Sequence, residues 1–331
     1  MIGAAGWGKT TAVASWSRHR PTAWLRYENY EGDAIHLLAS LVRTFQAHVP
    51  GSAPIRTSAV LDTDEVEHSI ETICISLSSV LINDLVLVLD DLHGLAPGDD
   101  AAGIIEGLCY RAPERLHIVL ISRRELPFSL QRLQGRGLVA EIHAPDLAFD
   151  VADVAELLRQ TVGREPPGLS RHVWEETGGW PAAVHCAVEI LRRVSVDQRL
   201  GAVGRLSHPG ERFHDYLAEE VIGTAPDRDQ QVLRSLAIFG EIRFAQEIAS
   251  GLHDPTPVLA QLSRQGLVRR TGEDACWALV RPLQGFFEYE MTPLADERKA
   301  LHVAAAKDCI ERRAPVEALR HLLAAEDHAA C

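Results

Sequence analysis

The segment Gly3-Ala4-Ala5-Gly6-Trp7-Gly8-Lys9-Thr10 places its glycines, an ammonium and a hydroxyl in the spacing G-x-x-x-x-G-K-[ST] of a phosphate-binding loop. The chemistry explains the spacing. Gly3, Gly6 and Gly8 let successive backbone N–H groups turn inward as a cradle for anions, and a helix that starts at the end of the loop adds the partial positive charge of its N-terminus. Lys9 would reach the β- and γ-phosphates of a bound nucleotide, the Thr10 hydroxyl would ligate Mg²⁺, and Thr11 would join the nucleotide contacts on the first helical turn. Residues Thr11-Ala12-Val13-Ala14-Ser15-Trp16 read as that helix. With this chain's residue frequencies the pattern would arise by accident about once in 700 such chains, so a plain glycine-rich turn is a poor explanation. Lysine use points the same way: Lys9, Lys299 and Lys307 are the only three in the chain, and only Lys9 falls in the first 298 residues.

A phosphate loop needs a carboxylate opposite it to hold the metal. Leu85-Val86-Leu87-Val88-Leu89-Asp90-Asp91 is a run of branched apolar residues ending in two acids, the pattern of a strand buried on both faces that delivers carboxylates at its C-terminal edge. Asp90 would hold Mg²⁺, directly or through water, and Asp91 could polarise an attacking water. A further strand, Leu116 to Ile121, ends in Ser122-Arg123-Arg124. Arg123 could sense or stabilise charge at the γ-phosphate from there, or be an ordinary solvated arginine.

These residues must be positioned by a sheet. Ala23 to Tyr27 and the weaker Leu138 to Ile142 read as two more strands, with helical patterns over Ala34–Gln46, Thr63–Val80 and Ala101–Arg111 between them. Alternating strands and helices predict an α/β domain, a P-loop NTPase architecture with a parallel sheet and its site at the strand C-termini, spanning 1–145.

After residue 145 the pattern turns helical. Over 146–207, Asp150 caps one helix, Gly168 to Thr177 forms another, and Pro181 to Arg193 a third with proline in its first turn. The intervening Gly178-Gly179-Trp180-Pro181 reads, on its own, as a helix-breaking turn. Over 208–290, helical stretches at Phe213–Val221, Asp229–Ala237 and Pro257–Gln265 precede a hairpin, Leu267 to Arg270 and Cys276 to Val280 around a Gly272-Glu273-Asp274 turn, which is a winged-helix pattern. Its candidate recognition helix carries Arg264 as its one base, so the module reads as protein-facing. Over 291–331, two helical stretches on either side of Arg313-Ala314-Pro315 look like the start of a helical-repeat arm, of which several units are normally needed for stability.

Composition excludes other classes. The chain has 331 residues, 46% of them hydrophobic and 24% charged, with a net charge of -13, enough apolar material for cores and far from a disordered composition. An acidic surface without a basic patch repels phosphate backbones, so direct nucleic-acid coating is not expected. The six cysteines make no C-x-x-C pair or zinc spacing, and no run of about 18 apolar residues or signal-peptide pattern is present, so a reducing cytoplasm and no membrane partner are expected. Only Met1 and Ile2 precede the loop, whereas a buried strand should launch it; the chain is therefore expected to be a piece of a longer architecture at both ends.

The ordered set G-A-A-G-W-G-K-T-T, V-L-V-L-D-D-L-H-G-L, I-V-L-I-S-R-R-E-L-P, D-L-A-F-D, G-G-W-P-A-A-V and E-A-L-R-H-L-L-A-A-E-D resembles the signal-transduction ATPases (STAND class) of the MalT-like, LuxR-family transcriptional regulators along nearly the whole chain. The resemblance implies a switch in which ADP holds a closed monomer, an inducer on a helical sensor domain permits exchange for ATP, and the ATP form self-associates and activates transcription through a helix-turn-helix. The inducer-binding and DNA-binding domains would lie outside this chain. It also implies that Lys9 and Thr10 contact phosphate and Mg²⁺, Asp90 and Asp91 are the metal-binding acid and its catalytic neighbour, Arg123 is a phosphate sensor at a strand end, and Gly179-Trp180-Pro181 is a G-x-P turn near the nucleotide base. One departure concerns Arg281-Pro282-Leu283, where the family pattern commonly has His-Pro-Leu; a histidine contact to the ADP β-phosphate does not transfer, and Arg281 could take its place as a cation. The residues alone leave two other readings open, a P-loop kinase-type enzyme and a scaffold that no longer binds nucleotide.

Overall fold

The computed structural model describes residues 1–27, 34–49, 66–163, 166–206, 208, 210–239, 241–242, 256–271, 276–290, 295–311, 313 and 315–327. It separates into two compact units: Met1–Gly3 with Gly8–His143, and Ala4–Trp7 with Ala144–Cys331. The phosphate loop is thus shared, its two ends counted with the first unit and its crown with the second.

The first unit is built on a parallel sheet, β1 (Thr22–Arg26), β2 (Leu85–Asp90) and β3 (Leu116–Leu120), with β2 in the middle. Every residue of β2 is buried, as its unbroken apolar run requires. Because side chains alternate across a strand, Leu85, Leu87 and Leu89 enter one core with Leu41, Phe45, Ile73, Leu77, Ile104 and Ile105 of the helices Ala34–His48, Val66–Val80 and Asp100–Arg111. Val86 and Val88 enter another with Val13 and Ile121. Val13 belongs to helix α1 (Lys9–Ser17), which therefore packs on the opposite face of the sheet. The register Arg26↔Asp90 and Leu89↔Leu120 sets the three C-terminal ends level.

The stretch Leu138 to Ile142 differs from expectation. No regular strand forms there, and a single parallel bridge joins His143 to Ile2, which also bridges Ser122 on its other side. Two glycines and a charged residue run, Gly135 to Gly137, precede it, and Leu138 and Ile142 stay exposed, so burial does not reward pairing of this segment. Ile2 thereby holds the place between β3 and His143 where a strand launching the loop is expected. Residues 63–65 of the expected second helix lie outside the described residues.

In the second unit the helices Val151–Thr161, Leu169–Thr177 and Pro181–Arg192 pack through Val154, Leu158, Val173, Val184 and Leu191. The first starts with a full reciprocal cap: Asp153 N–H donates to Asp150 Oδ1 at 2.8 Å, and Asp150 N–H donates to Asp153 Oδ2 at 3.1 Å. Gly179 takes φ +72, with the Phe149 carbonyl oxygen 2.2 Å from where a Cβ would stand, so this turn requires glycine. The expected helix Phe213–Val221 is instead a short α-helix, Arg212–Tyr216, that loosens into a π-helical turn, Leu217–Ile222.

The winged-helix segment contains Asp227–Phe239, Thr256–Arg264 and a three-stranded antiparallel sheet rather than the expected two-stranded one. Its β6 (Cys276–Leu279) lies between β5 (Val268–Thr271) and a two-residue β4 (Glu241–Ile242). The Gly272-Glu273-Asp274 turn lies outside the described residues. Helix Arg281–Glu290 follows, then the pair Ala295–Glu311 and Pro315–Asp327, whose buried residues include the small Ala305, Ala306, Ala318 and Ala325.

Replacing Asp150 by Ala removes the acceptor of the Asp153 N–H, while the backbone N–H at position 150 can still donate to Asp153, and should cost about 1 kcal/mol, read as a lower urea midpoint with an unchanged slope. A midpoint equal to that of the unsubstituted chain would show that the cap carries no stability.

Candidate functional site

The loop passes through left-handed backbone that only glycine adopts cheaply at Gly6 (φ 78°) and leaves through it at Gly8 (φ 73°). Gly8 is the N-cap of α1 and brings no side chain to the helix end, and no acidic residue stands in the first turn. The first N–H groups of α1 are therefore not claimed by a capping side chain, which is what an anion at a helix N-terminus requires. Gly3 N–H is tied to the Ser122 carbonyl at 3.3 Å, fixing the loop's entry to the end of β3.

Lys9 is buried, and its Nζ donates to the Gly3 carbonyl at 2.6 Å. Burial, and then the nearby Arg123 guanidinium, push its pKa down to about 8 against the opposing pull of Asp90 and Asp91. Arg123 also depresses His93, after burial, with Asp91 acting the other way. Arg123 is thus brought into the same electrostatic cluster as Lys9 and the twin acids.

The Thr10 hydroxyl donates to Asp90 Oδ2 at 3.0 Å and lies 3.3 Å from Oδ1. The residue expected from the loop and the residue expected from the strand thus meet, although 80 positions separate them in sequence. Asp90 is 5% exposed and also accepts from Asp91 N–H at 2.8 Å. Asp91 has φ 61°, a left-handed conformation uncommon for a residue with a side chain, and its carboxylate has partners different from those of Asp90. Arg26 grips it, with both Nε and Nη2 2.6 Å from Oδ2, and His93 Nδ1 is 3.7 Å from Oδ1.

Arg26 and His93 are neighbours of Asp91 that the sequence reading missed. The signal for Arg26 was its place as the last residue of β1, level in register with Asp90. His93 lies two positions after the acids, in the short 3₁₀ turn Leu92–Gly94.

Of the expected site residues, Gly3, Gly8, Lys9, Thr10, Thr11, Asp90, Asp91 and Arg123 belong to the first unit, and Gly6 and Pro181 to the second. Thr11 is exposed on the first turn of α1. Pro181 is the first residue of its helix, after an N-cap at Trp180. Arg281 Nε lies 3.6 Å from Glu176 Oε2, so this cation has a carboxylate partner within its own unit.

The donor set fits a polyphosphate with a hard divalent cation: backbone N–H groups and an ammonium for the anion, one carboxylate and one hydroxyl for the ion. Mg²⁺ is typically bound by one or two carboxylates, with phosphate oxygens and water completing its shell. Among the described residues no helix is long and apolar enough to cross a membrane.

No family model matches the chain. Over 98% of its length it is 25% identical to the HTH-type transcriptional regulator MalT of Vibrio cholerae, and over 98% it is 24% identical to MalT of Yersinia pestis. The chain is thus similar to MalT over nearly its whole length. It spans 36% of the length of each of these relatives. Among solved structures, a Walker-type ATPase of Pyrococcus abyssi matches with a TM-score of 0.50 at 12% identity, covering 86% of this chain and 88% of that one. That likeness is one of fold, and it agrees with the α/β P-loop architecture of the first unit.

The lowered Lys9 pKa gives the site a pH signature. A bound polyphosphate favours the ammonium and raises that pKa, so binding takes up a proton near pH 8, and affinity falls as pH rises from about 8 towards the ordinary lysine value. Calorimetric titration with tripolyphosphate in buffers of different ionisation heat should show this uptake, and Lys9→Met should lack it. Equal proton uptake in both proteins would exclude Lys9 as the source.

Proposed function

We propose that this chain is the nucleotide-operated module of a MalT-like transcriptional regulator: it binds ATP and ADP with Mg²⁺, hydrolyses ATP slowly, and self-associates in the ATP state. The observation that carries the reading is the meeting of Thr10 with Asp90 at 3.0 Å beside the buried Lys9. The MalT resemblance supports the regulatory rather than the metabolic use of such a site.

In this reading the loop from Gly3 through Gly6 and Gly8 surrounds the phosphates, Gly3 anchoring it through its N–H on the Ser122 carbonyl, and Lys9 moves its Nζ from the Gly3 carbonyl to the β- and γ-phosphates. Thr10 and Asp90 hold Mg²⁺, which when bound neutralises charge on the phosphates. Thr11 adds a contact on the first turn of α1, and Pro181 borders the base. Asp91, held by Arg26, places and polarises the attacking water, while Arg123 senses the γ-phosphate. Arg281 would be available to a nucleotide only by leaving Glu176.

The wider assignments follow from the same reading. The chain divides functionally into a nucleotide-binding domain over 1–145, a helical domain over 146–207, a winged helix over 208–290 and the start of a repeat arm over 291–331. An inducer and DNA are engaged through domains outside this chain, in the cytoplasm and without a membrane partner. To act as a switch, the domain must bind the two nucleotides differently in its two conformations. Moving it from 1:99 to 99:1 takes about 10⁴-fold preference, or about 5.5 kcal/mol. A switch must also dwell in each state, so turnover is slow.

Titration with labelled ATP and ADP tests the assignment. Lys9→Ala should abolish ATP binding, and Asp91→Asn should keep binding while slowing hydrolysis. Unchanged binding in Lys9→Ala, or turnover of many ATP per second, would contradict the proposal; a chain that binds neither nucleotide would be a scaffold.

A further inference from the structure

The crown of the phosphate loop is held by aromatic packing that nucleotide chemistry alone does not require. Trp7, two residues before Lys9, is 3% exposed and stacks on Trp180, with ring centroids 5.4 Å apart and planes inclined by 7°. Trp180 is 1% exposed and meets Phe213 edge-on at 5.8 Å, and Phe213 lies against Tyr216 at 6.0 Å. Both indole N–H groups are buried without a hydrogen-bond partner among the described residues, a cost that phenylalanine at either position would avoid.

The backbone is clamped as well. Ala182 N–H donates to the Gly6 carbonyl at 3.1 Å, and Ala4 N–H donates to the Gln265 carbonyl at 3.0 Å. A methyl on Gly6 would come within 2.6 Å of Ala182 Cβ and of the Tyr216 hydroxyl. Gly266, at φ +79, has room for no side chain either: a Cβ there would stand 2.5 Å from two ring atoms of Trp7. Three segments of the second unit, around Trp180, at Tyr216 beside Phe213 and at Gln265-Gly266, therefore converge on three loop residues, Ala4, Gly6 and Trp7.

We infer that the Trp7–Trp180 stack is a positioning device that reads the state of the phosphate loop into the helical and winged-helix segments, with Trp180 and Gly266 acting on nucleotide binding without touching the phosphates. Trp7 is joined to Gly8 by one peptide bond, so a loop that changes shape around phosphates must either carry the Trp7 ring along or be restrained by it. Packed aromatic rings do not deform continuously; they hold one arrangement or move to another. Phosphate occupancy then alters the stack, and the stack sets the shape the loop offers to phosphate. The inference rests on the nucleotide-binding reading above.

The test uses the full chain with Mg²⁺-ADP and, separately, inorganic pyrophosphate as probes. Two stacked indoles couple their transitions and give a paired circular-dichroism signal that a lone indole does not. In the unsubstituted chain that signal should change on adding either probe. Trp180→Leu should lose the signal and bind Mg²⁺-ADP about tenfold more weakly, as expected for loss of an aromatic pair. Trp180→Phe, which restores the aromatic face, should recover affinity without the signal, and Gly266→Ala should weaken binding and alter the signal although it lies outside the phosphate site. Unchanged ADP affinity in both Trp180→Leu and Gly266→Ala, or a signal indifferent to bound ADP in the unsubstituted chain, would overturn the inference while leaving nucleotide binding intact. Failure of the unsubstituted chain to bind either probe would instead overturn the nucleotide reading, and the coupling with it. If Trp180→Leu does not fold, Trp180→Phe and Gly266→Ala decide the matter by the same readouts.

Discussion

A lysine ammonium buried at the start of a helix is the constraint on which the site depends. Burying a charge costs several kcal/mol unless partners replace its water, and Lys9 also faces the repulsion of Arg123. The Gly3 carbonyl and the fields of Asp90 and Asp91 offset part of that cost, while burial and Arg123 keep the Lys9 pKa below the ordinary lysine value. Such a group is poised for an anion, because a phosphate supplies the compensation that the protein alone provides only in part. The flanking geometry follows from the same need: a glycine-entered helix end with no capping side chain, and a central strand whose buried run lifts two carboxylates to its edge.

The twin acids show how one strand end can serve two roles. Asp90 continues the β2 backbone and remains buried against Thr10, whereas Asp91, in left-handed backbone, has its carboxylate beside Arg26 and His93. Their partners differ although their side-chain chemistry is the same. The register of β1 against β2 then decides which base meets Asp91, since Arg26 is level with Asp90.

Much of this was legible in the residues. The loop, the apolar strand running into Asp90 and Asp91, the helices on either side and the cap at Asp150 are all written in contiguous segments, where spacing and periodicity are direct signals. What escaped notice depends on contacts between distant segments. The ion pair of Arg26 needs the strand register; the stack of Trp7 on Trp180 needs the fold of a turn 173 positions away by residue number; and the third strand of the winged-helix sheet is only two residues long. Leu138 to Ile142 misled because its apolar residues suit a strand, whereas its backbone pairing with the rest of the sheet, among the described residues, is limited to the bridge of His143 to Ile2 and the Ile2 N–H donated to the Ile142 carbonyl. The π-helical turn at Leu217–Ile222 is invisible to a pattern that cannot separate periods of 3.6 and slightly more.

The central claim is that a nucleotide and one divalent ion share the space between the loop at Lys9 and the acid at Asp90. Electron paramagnetic resonance of Mn²⁺ substituted for Mg²⁺ tests it most directly. The account predicts one Mn²⁺ site per chain that forms only with ATP or ADP, shows phosphorus hyperfine coupling, and disappears in Asp90→Asn. Mn²⁺ bound without phosphorus coupling, or bound with nucleotide equally well in Asp90→Asn, would contradict it.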